Sequence, residues 1–174
     1  MILKVNILNR QKAIELDIKL FRKISNYIAD KFDSNKNAEL NIIFTGLDEI
    51  SALNLKYRNF SKPTDVLSFS YETGSLTSPG IREPGREDMQ KNCGFYITGE
   101  IVICPEIALE NSSKIKNIDL YGNTIQWDIE KEITLLIIHG ILHLYGYDHE
   151  KKQDFRSMEN IQNSILNDAL STFF

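Results

Sequence analysis

The sequence predicts an α+β fold, a small four-stranded sheet packed by helices, with one buried central helix that carries the histidines. Three observations lead there. Apolar and polar residues alternate in two short runs, as in half-buried strands, and two further short runs read as strands. Stretches of helical periodicity lie between and after them. One stretch, ITLLIIHGILHL at 133–144, is apolar nearly all round, which marks a helix enclosed by the rest of the domain.

The elements follow in order. Leu3, Val5 and Ile7 alternate with Lys4 and Asn6 and read as the first strand. Phe21, Ile24, Ile28 and Phe32 recur at helical spacing, so about 17–32 is an amphipathic helix, stopped by Asp33-Ser34-Asn35. Leu40, Ile42 and Phe44 alternate again as the second strand. Asp48 is placed to cap a short helix running to about Tyr57. Val66–Ser70 and Glu100–Ile103 are the third and fourth strands. Between them, YETGSLTSPGIREPGREDMQKNCG holds four glycines and two prolines and has no period. It reads as a surface loop, an insertion at about 71–98. Pro105 starts a short helix through about Ser112, and 113–127 reads as a linker. Asp128 can N-cap the central helix, with Glu130 and Glu132 in turns where the helix dipole favours acid. Gly146 ends that helix, and Phe155, Met158, Ile161 and Ile165 mark a last amphipathic one.

A length of 174 residues fits one domain, and 42% hydrophobic with 25% charged residues fits a soluble globular protein. The net charge of −4 gives no global attraction to nucleic acid or to an anionic membrane, so such a partner must meet a local patch. Cys93 and Cys104 form no CxxC pair and read as small apolar residues in a reducing compartment. The start, MILKVNILNRQ, has no signal-peptide pattern, and no apolar run approaches a membrane span. The expected location is the cytoplasm, with no membrane partner.

All three histidines fall within HGILHLYGYDH, residues 139–149. His139 and His143 are four apart in the central helix and leave the same face one turn from each other. A third ligand cannot follow from the next turn of a straight helix, so the chain must turn back. Gly146, midway between His143 and His149, tolerates the left-handed conformation that such a turn needs. Three neutral imidazoles with an open fourth position are the layout of a catalytic zinc site. One zinc ion is the expected cofactor, although nickel and copper suit the same donors. The spacing HxxxHxxGxxH also matches the long metzincin protease motif, but that motif has its general-base Glu directly after the first histidine. Here Gly140 stands there, which argues against peptide hydrolysis.

Lys56, Arg58 and Lys62 lie within seven acid-free residues, KYRNFSK, interleaved with Tyr57 and Phe60. Cations for phosphate and aromatic faces for bases are what single-stranded RNA requires. A solvated helix end, with cations favoured by the dipole, is the plainer reading of the same residues.

HGILHLYGYDH, with LNLKYRNFSKPTDVLSFS upstream and GEIVIC between them, resembles the YbeY family of bacterial endoribonucleases, the rRNA maturation factors. The three segments span Leu53 to His149 in the family's order. The resemblance implies an α+β fold with a small mixed sheet and a buried metal-bearing helix. It implies a zinc-dependent, single-strand-specific RNase acting in 16S rRNA 3′-end maturation and ribosome quality control. Its partners would be ribosomal RNA and the small ribosomal subunit, and not DNA. The family's metal ligands fall on His139, His143 and His149, and its functional arginine on Arg58. Two departures stand out: Gly99-Glu100-Ile101 replaces the usual Gly-Asp-Ile, and the 71–98 loop is longer than usual.

Within that reading Arg58 holds the scissile phosphate and Lys56 and Lys62 steer the strand. Asp148 and Glu150 flank His149 and either orient a ligand imidazole or are plain surface acids. Asp65 reads as a turn or cap residue. Two other functions stay open. One is a ribosome-assembly factor without catalysis, its zinc structural and its fourth position filled by a cysteine or carboxylate from outside the motif, with Cys104 a candidate. The other is a degenerate metallopeptidase-like hydrolase.

Overall fold

The structure, a computed structural model, describes residues 4–32, 39–70, 98–114, 118–120, 123–147 and 152–174. Strand β1 (Lys4–Asn9) leads into helix α1 (Ile18–Phe32), then β2 (Glu39–Phe44) and α2 (Leu47–Arg58). Strands β3 (Val66–Ser70) and β4 (Thr98–Ile103) follow, then α3 (Pro105–Lys114) and a short hairpin, β5 (Ile118–Leu120) and β6 (Asn123–Ile125). Helices α4 (Ile129–Leu144) and α5 (Lys152–Phe173) complete the described chain. The main sheet has the order β1-β2-β4-β3. β1 and β4 run parallel to β2, while β3 is antiparallel to β4, so the sheet is mixed and β3 is an edge.

Strand alternation divides the interior into two layers. Leu40, Ile42, Phe44, Ile101 and Ile103 point one way, into the large core built with α1, α4 and α5. That core includes Phe21, Ile24 and Ile28 of α1 and Ile133, Ile137 and Ile138 of α4, all with no solvent exposure. Ile43, Leu67 and Val102 point the other way and pack with Ile50 of α2 and Cys104. α2 and α4 therefore lie on opposite faces of the sheet.

The four strands, the amphipathic first helix and the enclosed α4 match the sequence reading. Three details differ. Residues expected as a linker contain the β5–β6 hairpin, whose three-residue strands are too short to establish a period. α3 extends to Lys114. Asp48 is not the cap of α2: the chain passes from β2 into the helix so quickly that extended Gly46 (φ −87°, ψ 175°) occupies the cap, with no side-chain bond. Asp48 and Glu49 lie instead in the first turn, where the helix dipole favours them. The expected 71–98 insertion falls, apart from Thr98, outside the described residues. Among the described residues no helix is long and apolar enough to cross a membrane.

Candidate metal centre

α4 begins as its sequence requires. The extended Asp128 caps it, its Oδ1 accepting the Lys131 N–H at 3.0 Å. The helix then packs tightly on β4. A Cβ built on Gly140 would sit 2.8 Å from Ile101 Cδ1 and 2.9 Å from its Cγ2. Gly140 thus marks the face that meets the sheet. A glutamate there, the base of a metzincin, would drive into Ile101 instead of joining the histidines.

His139 and His143 occupy another face, both half-buried. Their rings lie 4.6 Å apart between centroids at 81°, and the two Nε2 atoms are 3.0 Å apart. Two nitrogens bound tetrahedrally to one ion at ~2.0–2.1 Å would be about 3.3 Å apart. The observed pair needs only a few tenths of an ångström of opening to accept zinc. The donor set fits as well. Nδ1 of His139 lies 2.9 Å from Oε1 of Gln162 on α5. Sequence reading missed Gln162, since only the packing of α5 on α4 brings position 162 to the ring.

The end of α4 supplies the expected turn. Gly146 has φ 79°, in the left-handed region. Its N–H donates to the His143 carbonyl at 2.9 Å, and the Tyr147 N–H donates to the Leu142 carbonyl at 3.0 Å. This is the double hydrogen bond of a Schellman motif, and it reverses the chain direct from the second histidine. His149, Asp148 and Glu150 lie outside the described residues. Among the described residues no three His, Cys, Asp or Glu side chains form a metal-ligating group. Cys104 is removed from the candidates for a fourth ligand: it is buried in the layer on the far side of the sheet from α4. Burial pushes its thiol above the ordinary range.

The basic island ends α2. Lys56 and Arg58 fall in its last turn, and Asn59 closes the helix in the left-handed conformation (φ 59°). Buried Asn54 donates from Nδ2 to the Lys62 carbonyl at 2.7 Å and fixes the returning loop. Lys56, Arg58 and Lys62 are all exposed. So are Tyr57 and Phe60, at 55% and 67%. One side of Tyr57 rests on Phe69 of β3, with ring centroids 4.8 Å apart, and Lys56 Nζ lies 4.9 Å from its centroid. Among the described residues no hydrogen bond or ion pair joins Arg58 to the histidines. The two groups flank the edge strand from opposite faces: α2 meets β3 through Phe69, and α4 packs against β3 from the other side. Glu100, the departure from Gly-Asp-Ile, pairs with Phe69 across the β3–β4 ladder.

Asp65 is the turn residue expected of it. Its Oδ1 accepts the Val66 N–H at 2.8 Å and its Oδ2 accepts from Asn111 at 3.2 Å. Beside it lies a buried acid that sequence reading assigned only to the helix dipole. Glu132 is 4% exposed and accepts the indole N–H of Trp127 at 2.7 Å. Burial pushes its carboxyl above the usual range, the Trp127 hydrogen bond draws it back, and the charge of Asp65 pushes it up again.

Comparison with known proteins agrees with this layout. The family model for endoribonuclease YbeY matches residues 6–170. An endoribonuclease YbeY of Staphylococcus saprophyticus is 34% identical over 145 residues, covering 83% of this chain and 81% of the relative. One of Beutenbergia cavernae is 30% identical over 158 residues, covering 91% and 92%. The solution structure of TM1509 from Thermotoga maritima superposes with a TM-score of 0.53 at 28% identity, covering 96% of this chain and 89% of that one. With the α4 histidines, the Gly146 turn and the mixed sheet in the same chain, these matches establish that the protein belongs to the YbeY family of endoribonucleases.

Proposed function

We propose that this protein is a zinc-dependent endoribonuclease that cuts single-stranded RNA, acting in the cytoplasm on the 3′ end of 16S rRNA and in ribosome quality control. The observation that carries the metal is the convergence of His139 and His143 through their Nε2 atoms at 3.0 Å, on a helix that Gly146 ends in the left-handed conformation. His139, His143 and His149 would hold a divalent ion, which when bound would supply Lewis-acid chemistry toward a phosphoryl oxygen or a water molecule. The remaining work belongs to the chain. His139 and His143 hold the centre on a helix rigidly packed against β4. Arg58 offers a planar two-pronged contact to the scissile phosphate and balances the charge that builds on it. Lys56 and Lys62 draw in the flanking phosphates, and Tyr57 and Phe60 offer faces to unpaired bases. The substrate strand would cross the edge of β3, between the basic island and the histidines. Asp148 and Glu150 are proposed to orient His149.

The metallopeptidase reading has little support, because position 140 faces the sheet. The structural-zinc reading loses one candidate fourth ligand, because Cys104 is buried on the far side of the sheet from α4. The test is a cleavage assay on one RNA sequence, single-stranded and annealed to its complement, beside unfolded casein. Cleavage of the free strand alone supports the proposal. Chelator-sensitive proteolysis of casein without RNA cleavage would replace it.

A further inference from the structure

We infer that Gln162 is a positioning residue that sets the tautomer of His139 and so determines which of its nitrogens is offered to a metal. The inference rests on reading the histidines as metal ligands, and it adds a residue from a different helix to that site. Its basis is one contact, His139 Nδ1 to Gln162 Oε1 at 2.9 Å. An amide oxygen only accepts hydrogen bonds. The contact therefore requires the proton on Nδ1. A neutral imidazole protonated there carries its lone pair on Nε2, the atom that faces His143 at 3.0 Å. The opposite tautomer would lose the bond to this oxygen and turn an N–H toward the ligand position.

The surroundings hold Gln162 in place. It is half-buried on α5, with Met158 a turn before it and Ile165 and Leu166 in the turn after, all three buried in the core. α5 is further tied down by Lys31 of α1, whose Nζ pairs with Asp168 at 2.5 Å. The ring of His139 is thus clamped between its own helix and a second one. Such partners of ligand histidines typically change metal affinity by ~10–100-fold when removed.

The experiment compares wild type with Gln162→Met and Gln162→Glu. Methionine keeps the length and loses the acceptor; glutamate keeps an acceptor. Two readouts are taken: zinc affinity by competition with a chromophoric chelator, and the His139 tautomer in metal-free protein by long-range 15N–1H NMR at pH 8. Wild type should carry the Nδ1 proton. Gln162→Met should bind zinc ~10–100-fold more weakly and lose the tautomer preference. Gln162→Glu should retain both. Unchanged affinity and tautomer in Gln162→Met would overturn the inference. Equal loss in both variants would also overturn it, since position 162 would then matter only for packing. A wild type that binds no zinc yet shows the tautomer, lost in Gln162→Met, would sink the metal reading and leave the Gln162 lock standing.

Discussion

Glu132 shows what a single buried acid does to stability. Its folded pKa is raised above the ordinary 4.5, first by burial. The folded state therefore binds that proton more tightly than the unfolded state. Stability from this group is fully present below 4.5 and declines as pH rises toward the folded value. Glu132→Gln keeps an oxygen for the Trp127 N–H and removes the charge. It should melt higher than wild type at pH 8, with the gap closing toward pH 4; a lower Tm at pH 8 would mean that the network needs the carboxylate. Gly146 makes a second case. Its φ of 79° is one a β-branched residue resists. Gly146→Val should cost about 1–3 kcal/mol of local strain and weaken zinc binding although no ligand changes. Zinc titration with wild-type affinity would show that the turn does not set the site. At this scale three local rules are legible in the sequence: Asp128 as cap, Gly146 as helix stop, the histidines one turn apart. Gln162 and the Glu132–Trp127 pair were hidden, the first by contact between helices and the second by burial that depends on the whole fold.

Elements were read well where they were long and periodic. α1 carries apolar residues at one helical spacing, and α4 is apolar nearly all round; both are legible in the sequence. The β5–β6 hairpin has three residues per strand and offers no such repeat. Asp48 was misplaced as a cap because the abrupt β2-to-α2 junction cannot be seen in composition. The α4–β4 contact is the sharpest test of the packing. Gly140→Ala gains up to ~1 kcal/mol of helix propensity, but overpacking against buried Ile101 costs about 1–3 kcal/mol. A net loss of roughly 1 kcal/mol in chemical denaturation is expected. A more stable variant would show that α4 and β4 are not in close contact.

For the whole molecule, the sheet sets the histidines and the basic island on opposite faces of its β3 edge. The sequence named both groups and could not relate them, because α2 and α4 are far apart along the chain. If one RNA strand bridges them, the cations divide by role. Lys56→Ala and Lys62→Ala should weaken RNA binding and each lower the salt slope by about 0.7. Arg58→Ala should instead slow cleavage more than it weakens binding, with Arg58→Lys intermediate, as single-turnover rates and filter binding would reveal. Equal loss of binding for all three would reduce Arg58 to one more phosphate contact. The central claim is that the histidines hold a metal that the RNA reaction uses. The direct measurement is single-stranded RNA cleavage by protein stripped with chelator, then resupplied with one equivalent of zinc, for wild type and His143→Ala. Wild type should lose activity on stripping and regain it on resupply, while His143→Ala stays inactive throughout. Full cleavage by stripped wild type, or by His143→Ala, would contradict the account.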